Sequence, residues 1–239
     1  MFFEGLRKDI RGVKERDPAA RNSVEVLLLY SGLHAIMWHR PAHWLYRHKC
    51  FFTARFISQM ARFFTGIEIH PGAVIGRGVL IDHGMGVVIG ETATVADNCT
   101  IYQGVTLGGT GKDKGKRHPD LEEGVVVGSG AKVLGPLTIG AGAKVAAGAV
   151  VLSSVPAGCT AVGVPARVVH RRGTQPPADL IGAELDQVHI PDPVSQEICR
   201  LNFRIDQLEK ELAQAQQESG REAPAAPDSP SAGPDAPAR

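Results

Sequence analysis

The spacing of apolar residues changes twice along the chain. Up to about residue 64 it is helical. Arg21–Leu33 carries Val24, Leu27, Leu28 and Tyr30, the recurrence of an amphipathic helix. A second helix is expected to open at Pro41, a residue suited to a first turn. Phe51, Phe52, Phe56, Phe63 and Phe64 give a third stretch an aromatic face, expected to be core or to pack on the segment that follows.

From Thr65-Gly66 onward an aliphatic residue recurs every sixth position. Ile69, Ile75, Ile81 and Val87 form one series. After a two-residue slip Ile89, Val95, Ile101 and Leu107 form a second, and Val127, Val133, Ile139, Val145 and Val151 a third. Glycine often follows directly, as at Gly76, Gly90, Gly108, Gly128 and Gly140. A hexapeptide period belongs to a parallel β-helix. Each repeat gives one short strand and one tight corner, and stacking buries a core that no single repeat could bury. Three repeats make a triangular coil, so the array predicts roughly five coils.

The pattern breaks at Gly108–Gly124, GGTGKDKGKRHPDLEEG. An insertion of this kind loops out of the coil and tends to sit on the binding face. The repeats end at GVPARVV (163–169), and the proline-marked stretch 171–194 reads as a linker. Ile198, Leu201, Ile205, Leu208 and Leu212 then step by 3, 4, 3, 4, a heptad seam. The segment 195–218 is expected to be an amphipathic or coiled-coil helix, and the Ala, Pro, Ser and Asp tail 219–239 to be disordered. The fold class is therefore α+β: a helical region (1–64), a β-helix (65–170) with the extruded loop 108–124, a linker, a helix and a tail.

Charge is nearly balanced, 26 basic residues against 25 acidic, so no global field points to nucleic acid or an anionic membrane. Four scattered cysteines without a CxxC suit buried apolar positions in a reducing compartment. MFFEGLRKDIRG lacks the apolar core of a signal peptide, and no stretch reaches the roughly 18 apolar residues of a membrane span. A soluble, cytoplasmic protein is expected.

Denser matches go beyond the repeat. GIEIHPGAVIGRGVLIDHGMGVVIGETA and VTLGGTGKDKGKRHPDLEEGVVVGSGAKVLG, with RDPAARN and LLLYSGLHAIMWHRPAHWLY upstream, resemble serine O-acetyltransferases over roughly residues 5 to 172. The array itself is that of hexapeptide acyltransferases, which implies a left-handed coil. The resemblance implies acetyl transfer from acetyl-CoA to the hydroxyl of L-serine, the first step of cysteine biosynthesis. It implies acetyl-CoA as co-substrate, no further cofactor, and a homotrimer. Long members carry a further helical region before RDPA that pairs trimers; here RDPA begins at Arg16, so a trimer rather than a hexamer is expected. Long members often end in an isoleucine that enters O-acetylserine sulfhydrylase. This chain ends in Asp-Ala-Pro-Ala-Arg, which leaves that partner in question.

A neutral alcohol is a poor nucleophile, so acetyl transfer to it needs a base. An imidazole with pKa about 6.5 suits the task, and His83 in IDHG is the candidate. By resemblance its carboxylate partner is Glu68. The two are fifteen residues apart, a spacing read as adjacent coils at neighbouring positions around the triangle. Asp17 and Asp82 match the acidic residues that hold the amino acid. Arg117 and His118 match those that face its carboxylate, which Arg can grip bidentately. The CoA groove between subunits would use Gly109, Gly128 and Ala146 as small lining residues, with Lys144 or Arg167 at the phosphates. His70 fits a corner better than a second base.

Three other readings remain. The same fold could serve another acceptor, such as a sugar or homoserine. A γ-carbonic-anhydrase-type zinc site needs three converging histidines, but its HxxxxH pair is missing, and no metal ligands are assigned. The 198–212 seam could recruit partners or extend the trimer.

Overall fold

In the computed structural model of this chain, residues 2–111 and 114–169 are described, with 198, 201–205, 207–209 and 211–212. The expected linker, the expected tail and the remainder of 195–218 lie outside the described residues. The chain divides into two units, Met1–Pro193 and Val194–Arg239, and the described residues of the second are helical. Among the described residues no helix is long and apolar enough to cross a membrane.

Four helices open the first unit: α1 (Phe2–Arg16), α2 (Ser23–Leu29), α3 (Ser31–Arg47) and α4 (Phe51–Thr65). Asn22 caps α2, its side-chain oxygen accepting from the Glu25 N–H at 2.8 Å, which satisfies one of the orphan donors of the first turn. Tyr30 is extended (φ −88°, ψ 104°), so the apolar run 21–33 is two helices rather than one. Pro41 does not open a helix but lies inside α3. Its missing N–H costs one i→i−4 bond, and burial of the face along Leu33, Ala35, Ile36, His39 and Ala42 offsets that loss, so the helix continues to Arg47. Gly32 lets α3 approach strand backbone: a Cβ there would fall on the Ile81 carbonyl oxygen.

The aromatic face of α4 is not core within this unit. Ala54, Ser58, Ala61 and Thr65 are the buried residues, while Phe52 is 86% and Phe63 78% exposed. Small side chains allow the helix to lie close to the coils, and the large rings take the opposite side. Gly66 ends α4 in the left-handed region (φ 72°), its N–H bonded to the Arg62 carbonyl, a glycine C-cap.

The β-helix follows. Its coils are β1 (Glu68–Ile69), β2 (Val74–Ile75) and β3 (Leu80–Asp82); β4 (Val88–Ile89), β5 (Thr94–Val95) and β6 (Thr100–Tyr102); β7 (Thr106–Gly108), β8 (Asp120–Leu121) and β9 (Val126–Val127); β10 (Lys132–Leu134), β11 (Thr138–Ile139) and β12 (Lys144–Val145). A fifth coil runs through β13 (Val150–Val151), a bridge at Val155 and β14 (Thr160–Gly163), and β15 (Ala166–Val169) folds back antiparallel on β14. First, second and third strands of successive coils stack in parallel into three faces. The coil is left-handed.

One aliphatic per strand points inward. On the first face Ile69, Ile89, Leu107, Val133 and Val151 are all at most 4% exposed. Truncating such a residue to Ala costs about 2–5 kcal/mol, because the rigid stack cannot close on the cavity.

The standard coil is eighteen residues, as in the pairing of Lys132 with Val150. Two coils depart from it. Glu68 pairs with Val88, a step of 20, and the two extra residues lie in the corner between β3 and β4. Thr106 pairs with Lys132, a step of 26, and the excess lies between β7 and β8. The extruded loop is thus 109–119, shorter than the expected 108–124. Asp120–Leu121 is already strand, with Leu121 1% exposed in the core; six residues before Val127, it extends the third series one repeat earlier than expected.

The longer first coil also corrects the placement of Glu68 and His83. Both lie on the first coil, Glu68 in β1 at its start and His83 just after β3 at its end, not on adjacent coils.

Candidate functional site

Both departures from the eighteen-residue coil carry candidate residues. The corner after β3 holds His83. Its φ is +59°, a left-handed conformation that a side chain with a Cβ adopts at a cost of about 1 kcal/mol or more. His83 is held there by its neighbours: the Gly84 N–H bonds the Asp82 carbonyl at 2.6 Å, and the Met85 N–H bonds the His83 carbonyl at 2.9 Å. The imidazole is presented to solvent, 73% exposed, with Nε2 3.9 Å from Asp82 Oδ2.

Asp17 comes to the same corner from the other end of the chain. Arg16, the residue before it, anchors that turn on the coils. Its guanidinium donates to the Asn98 carbonyl (2.7 Å), the Cys99 carbonyl (3.0 Å), Thr100 Oγ1 (3.0 Å) and the Gly78 carbonyl. The Asp17 carboxylate accepts from the Ala19 N–H at 2.8 Å and from the Tyr30 hydroxyl at 2.6 Å. Burial raises the Tyr30 phenol to about 12, and the hydrogen bond to Asp17 adds to the shift. Asp82 is raised above the usual carboxylate range, first by burial; His83 opposes the shift and the charge of Asp17 reinforces it. A carboxylate whose proton affinity is raised by a second carboxyl group beside it favours a cation there.

The second group sits at a different vertex, between the first and second faces, where the 109–119 loop leaves and returns. The Arg117 guanidinium pairs with Glu91. Glu91 also accepts from the Tyr46 hydroxyl of α3 at 2.5 Å. These two bonds hold its carboxyl below the usual range.

His118 lies over Gly90, where a Cβ would collide with the ring. The Thr92 N–H donates to His118 Nδ1 at 3.2 Å. Thr92 Oγ1 accepts from the Arg117 and His118 N–H groups, both at 3.1 Å, and stands 2.9 Å from Nδ1. With its lone pairs so occupied, the hydroxyl donates to Nδ1. The neutral ring therefore carries its proton on Nε2. Burial, then the neighbouring Arg117, lowers the pKa of His118, which favours that neutral form.

Sequence reasoning gathered Asp17, Asp82, His83, Arg117 and His118 around one serine, whereas within one chain Asp17, Asp82 and His83 share one corner and Arg117 and His118 another. It did not foresee that one full side of the triangular coil separates the two sets within one chain. Glu68 does not meet His83. Its carboxylate is engaged by Arg55 at 2.8 Å and Arg62 at 3.2 Å, both on α4; the described carboxylate nearest His83 Nε2 is that of Asp82. Gly128 and Ala146 occupy the corner beyond the third face, with Lys144 in β12 and Arg167 in β15 on that face. Gly109 does not join them: it lies at the loop vertex, against Arg117 and His118. His70 is a corner residue as expected, its Nδ1 accepting from the Gly72 N–H at 3.0 Å.

Tyr30, Tyr46, Glu91, Thr92 and Arg16 were missed. Tyr30 looked like one more apolar helical position, whereas Glu91 and Thr92 stood in the quoted GETA and Arg16 in RDPA.

Comparison with known proteins gives a consistent answer. A family model described as "Serine acetyltransferase, N-terminal" matches residues 2–37. Serine acetyltransferase of Bacillus licheniformis is 56% identical over 218 residues, 91% of this chain and 99% of its own length. The solved Neisseria gonorrhoeae serine acetyltransferase in complex with serine is 42% identical, with TM-score 0.68, over 70% of this chain and 69% of that one. A serine acetyltransferase solved in complex with CoA is 42% identical, with TM-score 0.66, over 70% of this chain and 68% of that one. This chain belongs to the serine acetyltransferase family.

Proposed function

We propose that the chain transfers the acetyl group of acetyl-CoA to the hydroxyl of L-serine, giving O-acetyl-L-serine and CoA, the step that opens cysteine biosynthesis. The observation that carries the reading is the paired Asp17 and Asp82 carboxylates beside the exposed His83. An ammonium group between the carboxylates relieves their repulsion and leaves the serine hydroxyl beside the imidazole. His83 takes the hydroxyl proton as Oγ attacks the thioester carbonyl carbon. The tetrahedral intermediate collapses, the C–S bond breaks, and the thiolate of CoA recovers the proton from the imidazolium. Asp82 stabilises that imidazolium.

Arg117 and His118 would face the serine carboxylate. One chain holds them a full coil side from His83, so the site needs a second copy, and a homotrimer provides it. The loop vertex of one subunit then meets the His83 corner of the next. The same geometry gives the CoA groove its two walls, Gly109 from one subunit and Gly128, Lys144, Ala146 and Arg167 from its neighbour.

The test follows CoA thiol release with L-serine, homoserine and a galactoside as acceptors, in wild type and His83→Ala. Serine-dependent release that falls by about 100-fold or more in the variant supports the reading. Release with another acceptor, or undiminished release in the variant, overturns the substrate or the base respectively.

A further inference from the structure

The second unit carries a feature that acetyl transfer does not use. The described residues between 198 and 212 are helical and all exposed. Ile198, Leu201, Ile205, Leu208 and Leu212, the whole heptad seam, are 47–60% exposed. Set as a and d positions of a heptad, Ile198, Ile205 and Leu212 fall at a, and Leu201 and Leu208 at d. β-branched residues at a with Leu at d favour two strands. Arg204 then falls at g and Glu209 at e of the next heptad, the pair that faces across a parallel coil with opposite charges. Among the described residues, Arg204 bonds the neutral Gln207 in its own helix, Nη1 to Oε1 at 3.2 Å.

We propose that this helix is an interaction surface for a second copy of itself, forming a parallel, in-register, two-stranded coiled coil between chains. Parallel register sets each of the five seam residues against its own counterpart and Arg204 against Glu209 of the other chain. An antiparallel pairing that matches a to d layers covers four of the five and leaves Ile198 or Leu212 outside. Two and a half heptads are too short to hold alone. Assembly of the first units presents several such helices at once, so short coils to a second assembly form multivalently and support one another. If those units form the homotrimer proposed above, pairs cannot be completed within one trimer, and the coil links chains of two trimers. The pairing itself does not depend on the serine reading.

Single cysteines placed in the full chain test it under mild oxidation, with the unaltered chain as background. Leu208→Cys at d faces its own copy and is expected to give a covalent dimer on non-reducing gels. Phe203→Cys at f, on the outer side, is not. In the Leu208→Cys background Arg204→Glu is expected to slow cross-linking several-fold, and adding Glu209→Arg to restore it. Circular dichroism of each variant shows that the fold is kept. Equal cross-linking of the two cysteine variants, or none from Leu208→Cys in a folded chain, overturns the proposal. An antiparallel pair is read out as the second of these, since it sets Leu208 against Ile198 or Ile205.

Discussion

Tyr30 donates its hydroxyl hydrogen to the Asp17 carboxylate across 2.6 Å, tying the break between α2 and α3 to the turn that follows α1. The bond holds Asp17 at the corner where Asp82 and His83 lie. Removing the hydroxyl should loosen the carboxylate without touching the base. Tyr30→Phe is expected to raise KM for serine by about 3- to 10-fold, the net worth of an ordinary hydrogen bond, since the loosened carboxylate stays in place. KM for acetyl-CoA and kcat should stay near wild type. A fall in kcat with KM unchanged would place Tyr30 on the reacting atoms instead.

Glu91 ties Tyr46 of α3 to Arg117 of the extruded loop. Arg117 is otherwise held by long bonds to the carbonyls of Lys114 (3.5 Å) and Gly115 (3.3 Å). Glu91→Gln keeps the size of the side chain and removes the charge that fixes the guanidinium. KM for serine is expected to rise by about 10-fold, with a smaller rise in Tyr46→Phe, which leaves the ion pair. Since Glu91 titrates below the usual range, its pairing is complete above the unfolded pKa and is lost as pH falls through the lower folded value. Identical serine KM in wild type and Glu91→Gln at neutral pH would remove Glu91 from the positioning of Arg117.

Much of this was legible in the residues. The period of six located the coils, because each strand contributes one inward aliphatic and the side chain has no alternative face to occupy. The two-residue slip after Val87 was visible as a phase change, and it marks the corner that presents His83. What the period could not show is pairing between elements far apart in sequence. Glu68 was expected at His83 because the motif places them together, yet Arg55 and Arg62 stand closer, and helical spacing on α4 gave no sign of where that face would land. Pro41 misled because burial of the Leu33–Ala42 face outweighs one lost helix bond.

Gly90 is the floor beneath His118. The ring lies where a Cβ would be, and Thr92 fixes its Nδ1 from the side. Gly90→Ala must push out an imidazole whose other nitrogen carries the donor hydrogen. The expected result is a loss of kcat/KM for serine of about 10- to 100-fold, with the thermal transition lowered by a few degrees at most. Gly140→Ala, where the Cβ would meet the Ala157 backbone at a corner away from Glu91, Arg117 and His118, is a control for crowding that leaves His118 in place. If the two variants lose equal activity, the effect is general packing and not His118.

His39, buried in α3 at 4% exposure, is a stability device with a defined sign. Burial lowers its pKa to about 3, and the nearby His43, Arg40 and His70 all push the same way, with only a backbone hydrogen bond at Ala73 opposing. In the unfolded chain the imidazole titrates near 6.5. Above that value both states are neutral and the group is without effect on the pH slope. As pH falls below it, the unfolded chain takes up a proton that the folded chain refuses, so stability declines by up to about 1.4 kcal/mol per pH unit until the folded value is reached. Urea unfolding between about pH 7 and about pH 5 should therefore show wild type losing roughly 2 kcal/mol more than His39→Gln. The variant is expected to be less stable at neutral pH, where the packed ring is lost, and to close that gap in acid. Parallel declines in the two proteins would assign the acid sensitivity to other groups.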